Sequence, residues 1–175
     1  MPACRVAQMR WPWPFRCLLA ALALAFISTG PANAACTGLG CACSIDAQPM
    51  SFGNYNPLSG SNVDAAGDVS VTCGALVAGV SISYVITLSP GTSGNQLART
   101  MSSGGNTLSY NLYTNNTRTT VWGDGSGGTG TRSNSYLLTL ILPRTDHFAV
   151  YGRIPGGQNA HIGSYSDTIV ATVIF

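Results

Sequence analysis

The residues best equipped for chemistry are two histidines and the groups around them. Asp146 and His147 are adjacent, His161 follows, and serines are abundant along the chain. A serine hydrolase needs a nucleophile that is activated by a histidine, which an acidic side chain orients. The chain contains no G-x-S-x-G motif that would hold a serine on a strained turn. These residues therefore do not predict an enzyme, and none of them is assigned as catalytic.

Metal-binding patterns are also weak. The two histidines lack the E-x-x-H partner of a local zinc site. Asp124 lies between Gly123 and Gly125 and has no acidic neighbour that would complete a calcium loop. We interpret the glycine-rich stretch around Asp124 as a turn. The sequence predicts neither a metal ion nor another cofactor.

Two aromatic residues near the same stretch suggest a different chemistry. Trp122 and Tyr113 could stack on a sugar ring and so form a surface-binding site. Large aromatic side chains also cap the core of a domain, because they remove much apolar surface from water. The core interpretation is favoured, and surface binding by Trp122 and Tyr113 is kept as the alternative.

The first 34 residues have the organisation of a secretory signal peptide. The apolar run over residues 17–27 is too short to span a bilayer, which argues against the alternative of an uncleaved anchor. The small-x-small sequence Ala32-Asn33-Ala34 predicts cleavage, leaving one domain over residues 35–175. Basic residues precede the run, namely Arg5, Arg10 and Arg16.

The predicted exported domain is nearly neutral. It retains five arginines against six aspartates and contains neither lysine nor glutamate. A nucleic-acid-binding protein needs a basic stripe, and attraction to an anionic membrane needs clustered lysine or arginine. We therefore expect no nucleic-acid partner and no stable membrane insertion.

Four cysteines remain after the predicted cleavage. An even number in an exported chain indicates two disulfides, for which three pairings exist. Cys41 and Cys43 flank a single residue of an extended segment, so their sulfur atoms are too far apart for easy closure. We favour the pairings Cys43–Cys73 and Cys36–Cys41, and a four-cysteine zinc site is the alternative.

Alternating apolar and polar residues predict short strands that are separated by Gly, Pro and Asn turns. Residues 56–68 and 115–135 are predicted to be irregular connections. The pattern is typical of an all-β sandwich with antiparallel sheets. The predicted strands are Cys43–Tyr55 with a break at Pro49, Asp68–Cys73, Val80–Leu88, the hairpin arms Gln96–Ser102 and Thr107–Thr114, Tyr136–Leu142, Phe148–Ile154 and Gly163–Phe175.

The last predicted strand raises the question on which function depends. An apolar strand needs a neighbour on each side, because a free edge promotes aggregation. Either an earlier strand or another polypeptide must therefore lie beside it. One face of this strand holds Ile169, Ala171, Val173 and Phe175.

Six stretches of the chain together resemble one known family. They occur in the same order over residues 43–175 and resemble the spore coat protein U domain family, which includes the pilins of archaic chaperone–usher pili. The stretches are S-F-G-N-Y-N-P-L-S-G (51–60), V-T-C (71–73), Y-N-L-Y-T (110–114), V-W-G-D-G (121–125), V-Y-G-R-I-P-G-G-Q (150–158) and G-S-Y-S-D-T-I-V-A-T-V-I-F (163–175).

The resemblance implies an incomplete immunoglobulin-like β-sandwich that lacks its last strand. In such pilins an apolar groove lies beside the C-terminal strand. A periplasmic chaperone fills the groove first, and the N-terminal extension of a neighbouring pilin subunit replaces it at the outer-membrane usher. The resemblance assigns the donor-strand groove and chaperone contact to Ile169, Ala171, Val173 and Phe175.

The segment before Cys43 departs from the pattern of a polymerising pilin. A donor segment carries alternating apolar residues, whereas residues 35–42 contain Leu39 as their only large one. A Cys36–Cys41 disulfide would also prevent extension. We therefore expect an exported pilus subunit that accepts a donor strand, as a terminal or minor subunit that supports surface attachment or biofilm formation. A secreted sugar- or surface-binding module outside a fibre is the alternative.

Overall fold

The computed structural model describes residues 40–175 and, as backbone, residues 4–8. The remainder of the predicted signal peptide and Cys36 lie outside the described residues. Within these ranges the chain is all-β, with one 3-10 turn at Gly91–Ser93. The strands are β1 (Cys4–Gln8), β2 (Ala42–Ala47), β3 (Val63–Gly74), β4 (Val80–Leu88), β5 (Arg99–Ser103), β6 (Asn106–Tyr113), β7 (Arg132–Leu138), β8 (Arg144–Ile154) and β9 (Val170–Ile174).

The strands form two sheets around one hydrophobic core. One sheet has the order β2-β3-β8-β6-β5, and the other has the order β1-β9-β4-β7. The longest pairing joins β3 to β8, from Val63 opposite Ile154 to Cys73 opposite Arg144. All pairings between these strands are antiparallel. The prediction of an all-β sandwich with antiparallel sheets is confirmed.

Strand β4 shows why the alternation in the sequence was informative. Its bounds are those that the sequence predicted, and it lies between β9 and β7. β-Branched and aromatic residues fit the pleated surface of a strand, and every second side chain points to the same face. The buried face of β4 consists of Val80, Ile82, Tyr84, Ile86 and Leu88.

A disulfide joins the first two strands of the larger sheet. Cys43 and Cys73 are directly opposite each other in the β2–β3 pair, and their sulfur atoms are bonded. This confirms the predicted Cys43–Cys73 pairing. Cys41 is also disulfide-bonded. Its predicted partner, Cys36, lies outside the described residues, so the second pairing stays a prediction.

Two predicted strand boundaries in the first half of the chain were wrong. Strand β2 ends at Ala47, and the segment after Pro49 is irregular, with Met50 buried in the core. Strand β3 begins at Val63, although residues 56–68 were predicted to be a connection. The extension of β3 is stabilised because Arg153 in β8 donates to both carboxylate oxygens of Asp64, at 2.7 and 2.8 Å.

The position of β7 was also predicted wrongly. The apolar sequence suggested a strand over residues 136–142, but β7 covers Arg132–Leu138. Its partner strand β4 begins at Val80, which is opposite Leu138. Residues beyond Leu138 therefore have no strand to pair with and form a loop before Pro143. Strand β8 starts immediately afterwards, at Arg144.

One charged side chain lies in the core, and the sequence did not reveal it. Arg99 has 0% exposure. Its guanidinium donates to the carbonyl oxygens of Ser89 and Trp122, each at 2.8 Å, and to Oδ1 of Asn111 at 2.7 Å. Burial lowers the pKa of Arg99, but an arginine remains charged at physiological pH. These bonds tie the loops on either side of the β5–β6 hairpin to the hairpin itself.

We predict that Arg99→Met destabilises the domain by about 3 kcal/mol or more, because it leaves several buried acceptors without donors. Urea unfolding of the full chain measures the change. The matched control is Arg144→Met, at a side chain that is 50% exposed, for which the expected loss is about 1 kcal/mol or less. Equal losses in the two variants would show that the Arg99 network contributes no special stability.

Candidate functional site at the outer edge of the last strand

Strand β9 is the element around which the candidate site is built. On one side it pairs with β4, where Leu88 is opposite Ala171 and Val85 is opposite Ile174. On its other side it pairs with β1, whose Gln8 is opposite Val170. Strand β1 lies within the predicted signal peptide. Within residues 40–175, no strand occupies this outer edge.

The inward face of β9 matches the alternation that the sequence predicted. Ile169, Ala171 and Val173 are buried, with exposures of 6%, 2% and 3%. Phe175 is partly buried, and its ring centroid lies 6.1 Å from that of Tyr84. The structure therefore brings the four predicted residues to one face, where they pack into or against the core.

The segment before β9 is irregular, although the sequence suggested a strand from Gly163. Strand β9 itself begins only at Val170. In place of a full strand, Ser166 and Ser102 exchange two backbone hydrogen bonds, of 2.9 and 3.1 Å. The segment thus leaves the edge of β5 and enters the other sheet at Val170. A switch between sheets cannot be recognised from alternation, because the alternation continues through it.

Asp167 holds this crossing in place. The hydroxyl of Tyr110 donates to its Oδ2 at 2.7 Å, and the backbone N–H and hydroxyl of Thr92 donate to its Oδ1, each at 2.9 Å. Burial, with a further contribution from Asp167, raises the pKa of Tyr110, so its hydroxyl remains a donor. Gly91 adopts a φ of +71°, and a Cβ there would collide with the carboxylate of Asp167.

Sequence reasoning overlooked Asp167. A usable signal was present, because it is the only charged residue after Arg153. A single acidic residue that immediately precedes an apolar strand has a strong demand for hydrogen-bond donors. Here the donors are Tyr110, in the sheet that contains β6, and Thr92, in the loop after β4. These hydrogen bonds fix where β9 starts.

A cavity of about 960 Å³ extends the site beyond the end of β1. Ile169 lines it, so the cavity begins next to the residue where the pairing of β9 with β1 ends. Segment 49–57 forms one wall and segment 160–169 the other. Its apolar lining includes Met50, Phe52, Met101, Leu108, Tyr110, Leu112 and Ile154. An apolar cavity with room for further side chains therefore lies next to the start of β9.

The alternative binding site is not assembled by the fold. Trp122 has 0% exposure, and its indole N–H donates to the carbonyl of Ile86 at 3.0 Å. It is a core residue and has no face available to a sugar, which corrects the surface-binding assignment. Tyr113 is only half-buried and lies opposite Tyr151 in the β6–β8 pair. The two aromatic residues thus have different environments.

The adjacent residues Asp146 and His147 have different partners. Asp146 accepts a hydrogen bond of 2.8 Å from the hydroxyl of Tyr84. The adjacent His147 points to the other face of β8, where its Nδ1 lies 2.8 Å from the carboxylate of Asp68. Burial, followed by the hydrogen bond to Asp146, raises the pKa of Tyr84. His161 is exposed in the segment that precedes β9.

The described part of the chain contains no group of three or more His, Cys, Asp or Glu side chains that could hold a metal ion. Asp124 forms a turn, because its Oδ1 accepts from the backbone N–H and the hydroxyl of Ser126, which lowers its pKa. The described residues include no helix with the length and apolarity needed to cross a bilayer.

Comparison with known proteins gives three findings. The Spore Coat Protein U domain family matches residues 31–172. Protein U of Myxococcus xanthus is 37% identical over 154 residues, which cover 78% of this chain and 79% of that protein. A solved chaperone–tip adhesion subunit pre-assembly complex, CsuC-CsuE from archaic chaperone-usher Csu pili of Acinetobacter baumannii, is 22% identical with a TM-score of 0.49. The match covers 77% of this chain and spans 40% of that solved chain.

We predict that a charge on the inward face of β9 disrupts the domain. Val173→Asp places a carboxylate at a position that is 3% exposed, and an unpaired buried charge costs about 3 kcal/mol or more. The neighbouring variant Ile174→Asp is the control, because that side chain is 40% exposed on the other face. Urea unfolding and the yield of soluble full-length chain report the difference. Similar behaviour of the two variants would mean that this face of β9 is not part of the core.

Proposed function

The chain belongs to the Spore Coat Protein U domain family, and from this premise we propose that it is an exported structural subunit of an archaic chaperone–usher pilus. In this proposal its partners are a periplasmic chaperone, an outer-membrane usher and neighbouring pilin subunits. The subunit reaches the cell surface through the periplasm and supports attachment or biofilm formation there.

A single observation carries the proposal. The outer edge of β9 pairs with residues 4–8, and no strand of residues 40–175 lies there. Those five residues belong to the predicted signal peptide. Removal of that peptide after Ala34 leaves unpaired backbone groups beside an apolar groove, which is a strong template for strand addition. A mature domain of this kind needs a strand from another polypeptide.

The geometry specifies the strand that would fit. The neighbour of β9 runs antiparallel to it, so a donor from the next subunit would complete an ordinary antiparallel sheet. Alternate side chains of the donor would enter the groove next to Ala171 and Val173, which are buried on the inward face. The cavity beyond Val170 offers space for additional apolar side chains. Ile169, Ala171, Val173 and Phe175 then act as the groove wall and chaperone contact.

The segment around the start of β2 supports a terminal or minor position of the subunit in the fibre. Strand β2 starts at Ala42, and the backbone N–H of Leu76 donates to the carbonyl of Gly40 at 3.2 Å, which holds this part of the chain against the domain. Cys41 is disulfide-bonded. A segment that is held against its own domain by a hydrogen bond and a disulfide does not extend freely into a neighbour's groove. The subunit accepts a strand and does not donate one.

We predict that the exported mature domain needs a chaperone. Production in a periplasm without a cognate chaperone gives degraded or aggregated protein, and co-production gives a one-to-one complex that sedimentation detects. Deletion of residues 172–175 removes most of β9 and abolishes chaperone capture, whereas Ile174→Ser preserves it. A stable monomer without chaperone, which ignores an added alternating apolar peptide, would rule out the pilus function and favour a secreted binding module.

A refolding experiment separates the role of residues 4–8 from that of the chaperone. Full-length chain and residues 35–175 are refolded from urea under oxidising conditions, and soluble monomer is measured. We expect full-length chain to bind a donor peptide more weakly, because β1 competes for the edge of β9. Arg5→Pro changes a residue that pairs opposite Thr172 of β9, so it weakens this pairing and restores peptide binding. Equal peptide affinity of all three proteins would contradict occupation of this edge by residues 4–8.

A further inference from the structure

Two arginines share one aspartate on the larger sheet. Arg153 in β8 donates to both carboxylate oxygens of Asp64 in β3, at 2.7 and 2.8 Å. Nη1 of Arg118, in the loop after β6, lies 3.2 Å from Oδ2 of the same carboxylate. The hydrogen bond from Arg153 is the main reason that the pKa of Asp64 lies below its ordinary value, so Asp64 is ionised. Two positive charges against one negative charge leave one positive charge in excess.

Both guanidinium groups keep a nitrogen that is free to donate. Nε of Arg118 donates to the carbonyl of Gly152 at 3.1 Å, and its Nη1 donates to the carbonyl of Asn116 at 2.9 Å. Arg153 uses Nε and Nη2 for Asp64. Among the described residues, Nη2 of Arg118 and Nη1 of Arg153 therefore have no acceptor. The two side chains are 14% and 30% exposed, so they remain in contact with solvent. Such N–H groups suit a carboxylate of a ligand.

Two tyrosines lie beside the arginines. Tyr113 in β6 is opposite Tyr151 in β8, and the guanidinium carbon of Arg118 lies 6.0 Å from the centroid of the Tyr151 ring. Both tyrosines are half-buried. On the other side of Tyr151, the opposite residue in β3 is Ala66, which is exposed and too small to cover the ring. A tyrosine offers an apolar ring for packing and a hydroxyl for hydrogen bonding, and both suit a sugar ring.

The backbone holds Arg118 at this position in an uncommon conformation. Its φ is +57°, and no other non-glycine residue of the described chain has a positive φ. The left-handed region is unfavourable for a residue with a long side chain. A turn maintains it, because the backbone N–H of Arg118 donates to the carbonyl of Asn115 at 3.1 Å. Strained backbone of this kind is concentrated at functional sites, and here it lets Arg118 reach Asp64.

The convergence of two arginines on one carboxylate is not repeated elsewhere in residues 40–175. Arg144, for comparison, pairs one to one with Asp146. The next acidic residue along this face of β3 is Asp68, four residues from Asp64 and thus about 13 Å away. Asp68 pairs with His147. Because that distance exceeds the Debye length of about 8 Å at physiological ionic strength, Asp68 has little effect on an anion at the arginines.

We infer that this cluster, which consists of Asp64, Tyr113, Arg118, Tyr151 and Arg153, binds a hexuronic acid unit of an acidic polysaccharide. The free donors of the two arginines bind the carboxylate of the sugar, and the tyrosine rings pack against the sugar ring. A small anion would use the arginines and leave the tyrosines unused. A nucleic acid needs a basic stripe, and one excess charge is far less than that. Repeated uronate units let several subunits bind one polymer, which strengthens weak single contacts.

The site is separate from the edge of β9. Its residues lie on β3, β6, β8 and the loop after β6, whereas β9 belongs to the other sheet. Val150 and Ile154 alternate with Tyr151 and Arg153 and are buried, so the cluster lies on the outer face of its sheet. A strand that is added beside β9 therefore leaves this face open. The inference does not rest on the proposed function.

Titration calorimetry with defined oligosaccharides tests the inference. The exported chain is used as soluble monomer or as its chaperone complex, with chaperone alone as a blank. The probes are oligomers of galacturonate, glucuronate and mannuronate, the methyl ester of the oligomer that binds best, and acetate. We expect at least one free acid to bind, and its methyl ester to bind about ten-fold or more weakly, because the ester has no charge for the arginines. Acetate gives no saturable binding at the same concentrations.

Variants locate the binding site. Arg118→Gln removes one guanidinium, and Tyr151→Leu removes one aromatic ring; we expect each to lower the affinity for the free acid, by about ten-fold or more for Arg118→Gln. The matched control is Arg144→Gln, because Arg144 also lies over a tyrosine and pairs with an aspartate. It stays within about two-fold of the unmodified chain. Urea unfolding of each variant shows that it is folded, and added salt weakens binding of the acid.

Several results would overturn the inference. They are the absence of binding to all three acids, equal affinity for an acid and its methyl ester, and equal effects of Arg118→Gln and Arg144→Gln. Chaperone capture is measured on the same preparations, and we expect it to be unchanged because none of the substituted residues lies on β9. A chain that needs no chaperone but binds the uronate through Arg118 would refute the pilus assignment and support the polysaccharide site.

Discussion

The need of the backbone groups at the outer edge of β9 for a neighbouring strand is the constraint on which this domain depends. A sheet edge that borders an apolar core cannot remain open to water at low cost, because its N–H and C=O groups need partners and its side chains need cover. In the described structure residues 4–8 meet this demand. The same residues lie in the predicted signal peptide, so export and completion of the fold are linked in the proposed function.

Interactions within residues 40–175 define the position of this edge. The start of β9 is held by Asp167, which binds Tyr110 in the opposite sheet and Thr92 in the loop after β4. Arg99 satisfies the carbonyl groups of two loops in the core, and the Cys43–Cys73 disulfide joins the first strands. These interactions are internal to residues 40–175. None of them involves residues 4–8.

The molecule is consequently different at its two ends. The end near Leu88 contains the apolar cavity, which lies next to the start of β9. The end near Val80 contains two loops whose exposed apolar residues have no strand to pair with. Both features arise from the lengths of the strands. Strand β9 pairs with only part of β4, and β7 ends at the residue opposite the first residue of β4.

Much of this architecture is local in origin and could be read from the residues alone. Side chains alternate along a strand with a period of two, so the buried face of β4 and the inward face of β9 followed from the residues alone. The oxidised pair Cys43–Cys73 and the family also followed from local patterns. Four other features depend on tertiary contacts. Trp122 is buried, Arg99 is a core residue, Asp167 anchors β9, and Leu140 to Leu142 are exposed. These features depend on which strands become neighbours and where each partner ends, and contacts between residues distant in the sequence leave no periodic signal in it.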